Sequence, residues 1–281
     1  MQTSIDRLEF IWDIDTYFEA LHPGDTIGSV TLMILSPGHN PISRTFKPRE
    51  AAKWVADWIA QPAYCAVNRF HGPRGRGRLA QLNALYVDLD VYRQRWLADV
   101  PRETLPSFIL DWMRASGVPA PSFLVDSGRG YYVLWLVNPL PAQAEPRWRA
   151  AQSALVRHLA SLGADPACTD ASRVLRMPGS VNGKVGRVVR VVAGDGQRHD
   201  FDMLEDAVYA ACGRPSRKVL KERAEKRERL RHGRTGSRCV VFRPRSGSRR
   251  FSTISTRSAA PGAAIFRRAC ATPGCTWSSR R

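Results

Sequence analysis

Three clusters of side chains in this chain have the types and spacing to do chemistry. The first is Leu85-Tyr86-Val87-Asp88-Leu89-Asp90, an apolar run ending in two acids one residue apart. Strand alternation sets Asp88 and Asp90 on the same face. Two carboxylates so placed repel unless a positive charge lies between them, and a divalent cation is the usual answer. The pair reads either as a metal site or as the solvated end of a strand. A second D-x-D, Asp13-Ile14-Asp15, falls in a helical pattern where i and i+2 point apart, so it belongs on the surface.

The second cluster is Asp126-Ser127-Gly128-Arg129-Gly130-Tyr131-Tyr132, leading into Val133-Leu134-Trp135. Glycines on both sides of Arg129 let the backbone approach an anion while the guanidinium grips it. A plain hairpin turn explains the glycines but does not need Arg129. The third cluster runs from Gly163 to Lys184 and gathers Asp165, Asp170, Arg173, Arg176 and Lys184 in an irregular stretch. Functional groups often lie in such segments, and a polar loop closed by a buried ion pair is the other reading.

These clusters need elements to hold them. Residues 5 to 22 read as an amphipathic helix with Ser4 as N-cap, and Val30 to Leu35 as a buried strand. A helix is expected over 48–60, with Ala51, Trp54, Val55 and Trp58 on one face. Strands follow at 63–70 and 82–90 around a Gly/Arg loop, 71–78, then a helix at 104–116. Two short strands, 122–126 and 131–137, form a hairpin across the Ser-Gly-Arg-Gly turn. A longer helix spans 144–162, with Trp148, Ala151, Leu155, His158 and Leu159 inward and Gly163 closing it. The 164–184 stretch is irregular, followed by a strand at 187–193 and a helix near 202–212. Hairpins mixed with crossovers give an α+β fold rather than a doubly wound sheet.

Charge divides the chain. Of the formal net +18, residues 214–281 hold +17, from 17 Arg and 3 Lys against 3 Glu. Residues 1–213 are therefore nearly neutral and long enough for a full core, as one domain or two packed lobes. Residues 214–230 read as a charged, solvated or partner-bound helix with Glu-Lys and Glu-Arg pairs at i,i+4. Residues 231–281 carry 12 Arg, no Lys and no acid, a composition that cannot form a core and is expected to be disordered. That tail reads as a frameshift product of a GC-rich gene or as an Arg-rich nucleic-acid arm. No run is long and apolar enough to span a membrane, no export signal is visible, and none of the six cysteines forms a C-x-x-C pair. Free thiols in a reducing cytoplasm are expected.

Taken in order, the three clusters resemble the archaeo-eukaryotic primase superfamily, in its plasmid and integrative-element branch of primases and primase-polymerases. The match lies in an apolar strand ending in D-x-D, a Ser-Gly-x-Gly segment entering an aromatic strand, and R-x-x-R-x-P-G-x-x-N-x-K. That last element is Arg173, Arg176, Pro178, Gly179, Asn182 and Lys184. The resemblance covers residues 25 to 195. It implies a two-lobed core with an RRM-like catalytic half and template-directed nucleotidyl transfer with Mg²⁺ or Mn²⁺. Asp88, Asp90 and Asp165 would hold the metals, with Asp170 in reserve for the third place. Ser127, Gly128, Arg129, Gly130, Arg173, Arg176 and Lys184 would grip a nucleoside triphosphate, and Asn182 would fix the loop or reach the sugar. Arg74, Arg76 and Arg78 would face the backbone of a single-stranded DNA template, with any helicase a separate chain.

One departure is visible. The superfamily usually places a His after the motif serine to contact phosphate; Tyr131 and Tyr132 stand there, Tyr132 in the matching register. A phenol carries no positive charge near neutral pH, so the contact is lost or comes from His71 or His199. Two rival readings follow. One is a catalytically degenerate DNA-binding protein of replication; the other is a haloacid-dehalogenase-type phosphatase with Asp88 as nucleophile.

Overall fold

A computed structural model of the chain describes residues 12–24, 27–36 and 38–235. The first seven positions of the expected N-terminal helix, most of the Arg-rich segment, and Cys239, Cys270 and Cys275 lie outside the described residues. The chain opens with helix α1 (Ile14–Leu21), whose N-cap is Asp13: its carboxylate accepts from Thr16 N at 2.7 Å. The D-x-D of residues 13–15 is thus partly a cap, and both acids are exposed. Strand β1 (Val30–Ile34) turns back into β2 (Ile42–Phe46), and α2 (Pro48–Trp58) leads to β3 (Ala63–Ala66) and β4 (Arg69–Phe70). The long strand β5 (Leu79–Leu89) precedes α3 (Leu105–Ala115), the hairpin of β6 (Phe123–Asp126) and β7 (Tyr131–Pro141), and α4 (Glu145–His158). Short strands β8 (Val174–Arg176), β9 (Val181–Asn182), β10 (Arg187–Val188) and β11 (Arg190–Ala193) come next, then α5 (Phe201–Ala211) and α6 (Arg217–Thr235).

The strands make a five-stranded sheet, β11-β6-β7-β5-β4, a four-stranded sheet, β2-β1-β3-β8, and the small pair β10-β9. Every named strand pair is antiparallel. In β5-α3-β6-β7-α4, with β5 and β7 neighbours at the centre, the expected RRM-like half is present. The two sheets share one continuous set of buried apolar side chains. Several expectations are corrected. Strand β2 has no run of buried residues, because it is an exposed edge, and the sequence reading passed over it. The 164–184 stretch is not wholly irregular: Val174–Arg176 adds the last strand of the four-stranded sheet. The single strand expected at 187–193 is two strands in different sheets. On α2, Trp54 is exposed rather than inward, while Ala51 and Val55 carry the buried face. His158 on α4 is only half-buried, its ring tilted against that of Trp112 with centroids 5.8 Å apart.

What positions the site is the way β5 is held beyond the reach of β4. β4 pairs only with Leu79 and Gln81, which leaves the ladder groups of the next residues without a strand partner. Buried backbone groups must nonetheless be satisfied. Asn83 N donates to Asn68 Oδ1 at 2.8 Å, and Trp148 Nε1 donates to Ala84 O at 2.9 Å. Tyr86 N donates to Gln152 Oε1 at 3.1 Å, and Gln152 Nε2 donates to both Tyr86 O and Cys168 O. Further on, Asp165 N donates to Asp88 O and Asp90 N to Gly163 O, each at 2.8 Å. Side chains from α4 and a strap at residues 163–165 thus stand in for the missing strand. Gln152→Ala leaves three buried backbone groups unpaired. It is expected to cost about 3 kcal/mol, read as a lower midpoint in urea melts; a change under about 0.5 kcal/mol would show that water takes the amide's place.

Three polar side chains fix α1 to the sheets. Arg69 donates to Pro23 O and Gly24 O at 2.9 Å, and Arg198 donates to Ala20 O, Leu21 O and Val137 O. His22 is buried between Ala66 O and the Asn83 amide, each at 2.9 Å; burial and the nearby Arg69 charge push its pKa down to about 3, so it stays neutral.

Candidate active site

β5 carries Asp88 out of the core at its C-terminal end. Directly across the ladder on β7 stands Tyr132, and in the second sheet Tyr64 on β3 stands opposite Arg176 on β8. The two sheets meet through these four residues. Arg176 Nη1 donates to the Tyr132 hydroxyl at 3.0 Å, and its guanidinium lies 5.0 Å from the Tyr64 ring centroid. Arg176 Nε is buried with no hydrogen-bond partner. A buried, unspent donor on a fixed guanidinium is a costly feature for a purely structural residue and a useful one for binding an oxyanion. Tyr132→Phe removes the acceptor of Arg176 Nη1 and is expected to lower stability by about 1–2 kcal/mol in thermal melts. Melts that coincide with wild type would make the contact incidental.

The strap brings the acids together. Donor atoms of Asp88, Asp165 and Cys168 lie within 4.8 Å of one another. Asp165 Oδ1 accepts from Ala167 N at 2.9 Å, and its Oδ2 is 3.8 Å from Cys168 Sγ. Burial first, and then the charges of Asp90 and Asp165, push the Asp88 pKa up to about 7, with Arg173 and Arg176 pulling the other way. Burial also pushes the Cys168 thiol up to about 12. Asp90 stands beside this group rather than in it, and its carboxylate pairs with Arg93 at 3.2 Å. Asp170, held in reserve, is turned away: its carboxylate accepts from Ser172 N and Oγ at 2.9 and 2.7 Å. Arg173 spans the segment, 3.7 Å from Asp165 and 3.6 Å from Asp170, and donates to Ala167 O at 2.6 Å. Arg173 thus pairs with both acids of the loop, but the pairs are partly exposed rather than buried as expected.

These residues fit a divalent cation. A carboxyl whose pKa is pushed up to about 7 by burial and then by two neighbouring acids is a group that a cation would discharge, and the Asp88 and Asp165 oxygens suit a hard ion such as Mg²⁺ or Mn²⁺. Cys168 adds a soft donor that such an ion does not require.

The Ser-Gly-Arg-Gly turn closes against the backbone at the end of β5. Ser127 Oγ donates to Gly130 O at 2.9 Å, Gly128 N donates to Asp126 Oδ1 at 2.7 Å, and Arg102 pairs with that carboxylate at 2.5 Å. Asn182 Nδ2 donates to Ser127 O at 2.7 Å, so Asn182 fixes the loop. Gly130 is required by contact: a Cβ there would lie 2.3 Å from Leu89 O. Ser127, Gly128, Gly130 and Asn182 thus build the turn, with the Ser127 hydroxyl already engaged inside it. The cations are Arg129, Arg173, Arg176 and Lys184. Arg129 lies 3.7 Å from the Tyr92 ring centroid, and Lys184 is exposed.

Other expected contacts are placed elsewhere. Arg74 is tied to Ser172 O at 2.6 Å, while Arg76 and Arg78 are exposed. His199 bridges Val137, five residues along β7 from Tyr132 and so about 16 Å away at strand spacing. It cannot replace the missing His. His71 is exposed in the β4–β5 loop. The sequence reading missed Cys168, Tyr64 and Gln152; Cys168 stands three residues after Asp165, a spacing that could have flagged it.

The antiparallel core with an RRM-like half, closed over paired acids and arginines, has the fold of archaeo-eukaryotic primase-polymerase domains. More specifically, residues 93–203 match the RepB DNA-primase N-terminal domain family, and the resemblance read from the motifs holds. A protein of Clostridium perfringens named "Replication protein" is 36% identical over 150 residues, 53% of this chain and 36% of its own length. The chain thus spans about a third of that curated relative. Among solved structures, the AEP domain of the cyanophage S-2L primase-polymerase superposes with a TM-score of 0.52 at 19% identity, over 69% of this chain and 96% of that one. This likeness shows the fold. The crystal structure of primase RepB′ gives a TM-score of 0.46 at 16% identity, over 80% of this chain and 69% of that one. Among the described residues no helix is long and apolar enough to cross a membrane. The dehalogenase alternative fails on the fold, because β5 runs antiparallel to both its neighbours.

Proposed function

We propose that this chain is a DNA primase or primase-polymerase that begins replication of a plasmid, phage or integrated element by template-directed nucleotidyl transfer. The observation that carries it is the junction of the two sheets, where Asp88 and Asp165 face Arg173 and Arg176. Asp88 and Asp165, with Asp90 beside them, would hold the divalent cations. Divalent cations held there would supply the Lewis acidity that lowers the pKa of an attacking 3′-hydroxyl and stabilises the leaving pyrophosphate. The chain's own part is positional. Arg176 is held by Tyr132 and Tyr64 beside the acids, and with Arg173 and Lys184 it adds charge for a triphosphate. The Asp88 carboxyl must give up its proton for the acids to act as ligands. Gly130 and the strap at 163–165 keep Asp88 and Asp165 in register. Single-stranded DNA and nucleoside triphosphates are the substrates, and any helicase would be a separate chain.

Primer synthesis on single-stranded DNA with labelled nucleotides and Mg²⁺ or Mn²⁺ tests the proposal, with Asp88→Ala/Asp90→Ala as control. Metal-dependent oligonucleotides that vanish in the double variant are expected. Tyr132, in the place of the family's His, favours the second reading, a DNA-binding protein without catalysis. Intact single-strand binding with no product from wild type would establish that one instead.

A further inference from the structure

Immediately after Asp90 the chain makes two consecutive single 3₁₀ turns, Val91–Arg93 and Arg95–Leu97. Val91 and Leu97 are buried and anchor them, while Tyr92, Arg93, Arg95 and Trp96 face solvent. Tyr92 is 40% exposed and Trp96 is 49% exposed. Large aromatics left this open beside arginines are unusual for a surface that only solvates the chain.

Neither ring is loose. Trp96 Nε1 donates to Ser161 O at 3.1 Å, and the indole meets the Phe108 ring nearly edge-on at 5.7 Å. Tyr92 lies under the Arg129 guanidinium at 3.7 Å, with Arg93 at 5.6 Å. Arg129 belongs to the Ser-Gly-Arg-Gly turn that closes over the end of β5. The patch is therefore joined to the acid site on both sides, through Asp90 in sequence and through Arg129 in space. Its acidic residues are the exposed Asp99 and Glu103, together with Asp90 and Asp126, which pair with Arg93 and Arg102; Arg95 and Arg129 are the further cations.

We infer that Tyr92-Arg93-Gln94-Arg95-Trp96 forms a stacking platform for single-stranded nucleic acid leading into the site. Unpaired bases lie on the Trp96 ring and on the face of Tyr92 that Arg129 leaves open, and phosphates pair with the exposed Arg95, Arg93 being already paired with Asp90. The inference rests on the primase reading for its purpose but not for its test. Rigid aromatics interleaved with arginines bind single strands without sequence preference, because every base offers a π-face, and a duplex keeps those faces stacked within itself. The platform also places strand binding on the Tyr92–Trp96 turns rather than the 71–78 loop, where Arg74 is already spent on Ser172 O.

The experiment uses the full chain in EDTA, so that no chemistry occurs, at about 0.3 M NaCl to weaken purely electrostatic binding by the basic segment. Anisotropy of a fluorescein-labelled twelve-residue oligo(dT) gives Kd, and photocross-linking of a bromodeoxyuridine oligonucleotide with peptide mass spectrometry gives the contact. Trp96→Ala and Tyr92→Ala are each expected to weaken binding about tenfold, with Trp96→Phe close to wild type. Arg95→Ala, at an exposed position safe for folding, should reduce the salt slope by about one. Cross-links should fall on the 92–96 peptide. Kd values within twofold of wild type for all three alanine variants, no single-strand binding by wild type, or cross-links confined to the 71–78 loop or the basic segment would each overturn the platform. A platform that binds as expected in a protein that makes no primers sinks only the primase reading. Primer synthesis by a Trp96→Ala protein with wild-type affinity sinks only the platform.

Discussion

Asp88→Asn is expected to abolish primer synthesis, by on the order of 10³-fold or more, and at the same time to stabilise the cation-free protein at pH 8. The activity loss follows from removing a charged oxygen at the reacting centre. The stability gain follows from the Asp88 pKa, raised from 3.8 to about 7 by burial and by Asp90 and Asp165. The folded protein holds this proton more tightly than the unfolded chain does. The corresponding stability is complete below about pH 4 and is lost as pH rises to about 7, by no more than about 4 kcal/mol. Asparagine carries no charge at any pH and escapes that loss. Thermal melts in EDTA from pH 5 to 8.5 should show wild type falling away from Asp88→Asn as pH rises, and Mn²⁺ at pH 8 should restore wild type but not the variant. Parallel curves for the two proteins would mean that Asp88 is not strained by its neighbours and that the acids do not form a cation site.

Gly130→Ala is the second large effect. The added methyl would stand 2.3 Å from Leu89 O and 3.2 Å from Leu89 C, and backbone of a central strand cannot step aside as the tip of a long side chain can. A cost of about 3 kcal/mol or more is expected, with loss of Mn²⁺-induced stabilisation even where the protein still folds, because Asp88 and Asp90 flank the displaced carbonyl. Gly75→Ala is the matched control: nothing lies within 4 Å of its Cβ, and its melts should coincide with wild type within about 0.5 kcal/mol. Equal effects at the two positions would remove the steric account of the motif's second glycine.

The hydrophobic runs at β1, β5 and β7 and the helices α3, α4 and α5 were legible, the last three as spans, with an inward face read among them only for α4. The Ser-Gly-x-Gly hairpin and the order of the three clusters were legible too, and they carried the superfamily. β2 was not, since an edge strand with exposed Ser43 and Arg44 has no apolar pattern to read. Nor was β8, whose three residues acquire strand geometry only by pairing with β3. The site was half legible. Local sequence placed Asp88 and Asp90 together, but it could not show that a backbone strap delivers Asp165 and Cys168 to Asp88 while Asp90 turns to Arg93. It read the turn glycines either as an anion cradle or as a plain hairpin; the structure adds that Gly130 admits the end of β5 and Gly128 the Asn182 side chain.

The side chains that complete β5 have a consequence for how copies of this protein meet. A strand with vacant ladder groups invites a second chain to add itself, the usual route to edge-to-edge aggregation. Along β5 that invitation is withdrawn by Asn68, Trp148, Gln152 and the Gly163–Asp165 strap, so the acid-bearing strand cannot be extended by a neighbour's strand. The edges of the two sheets are β2 and β8, β11 and β4; the longest, β2 and β11, are only five and four residues long and each carries an arginine that discourages a like partner. The surface beside the acids is thereby kept for ligands rather than for self-association.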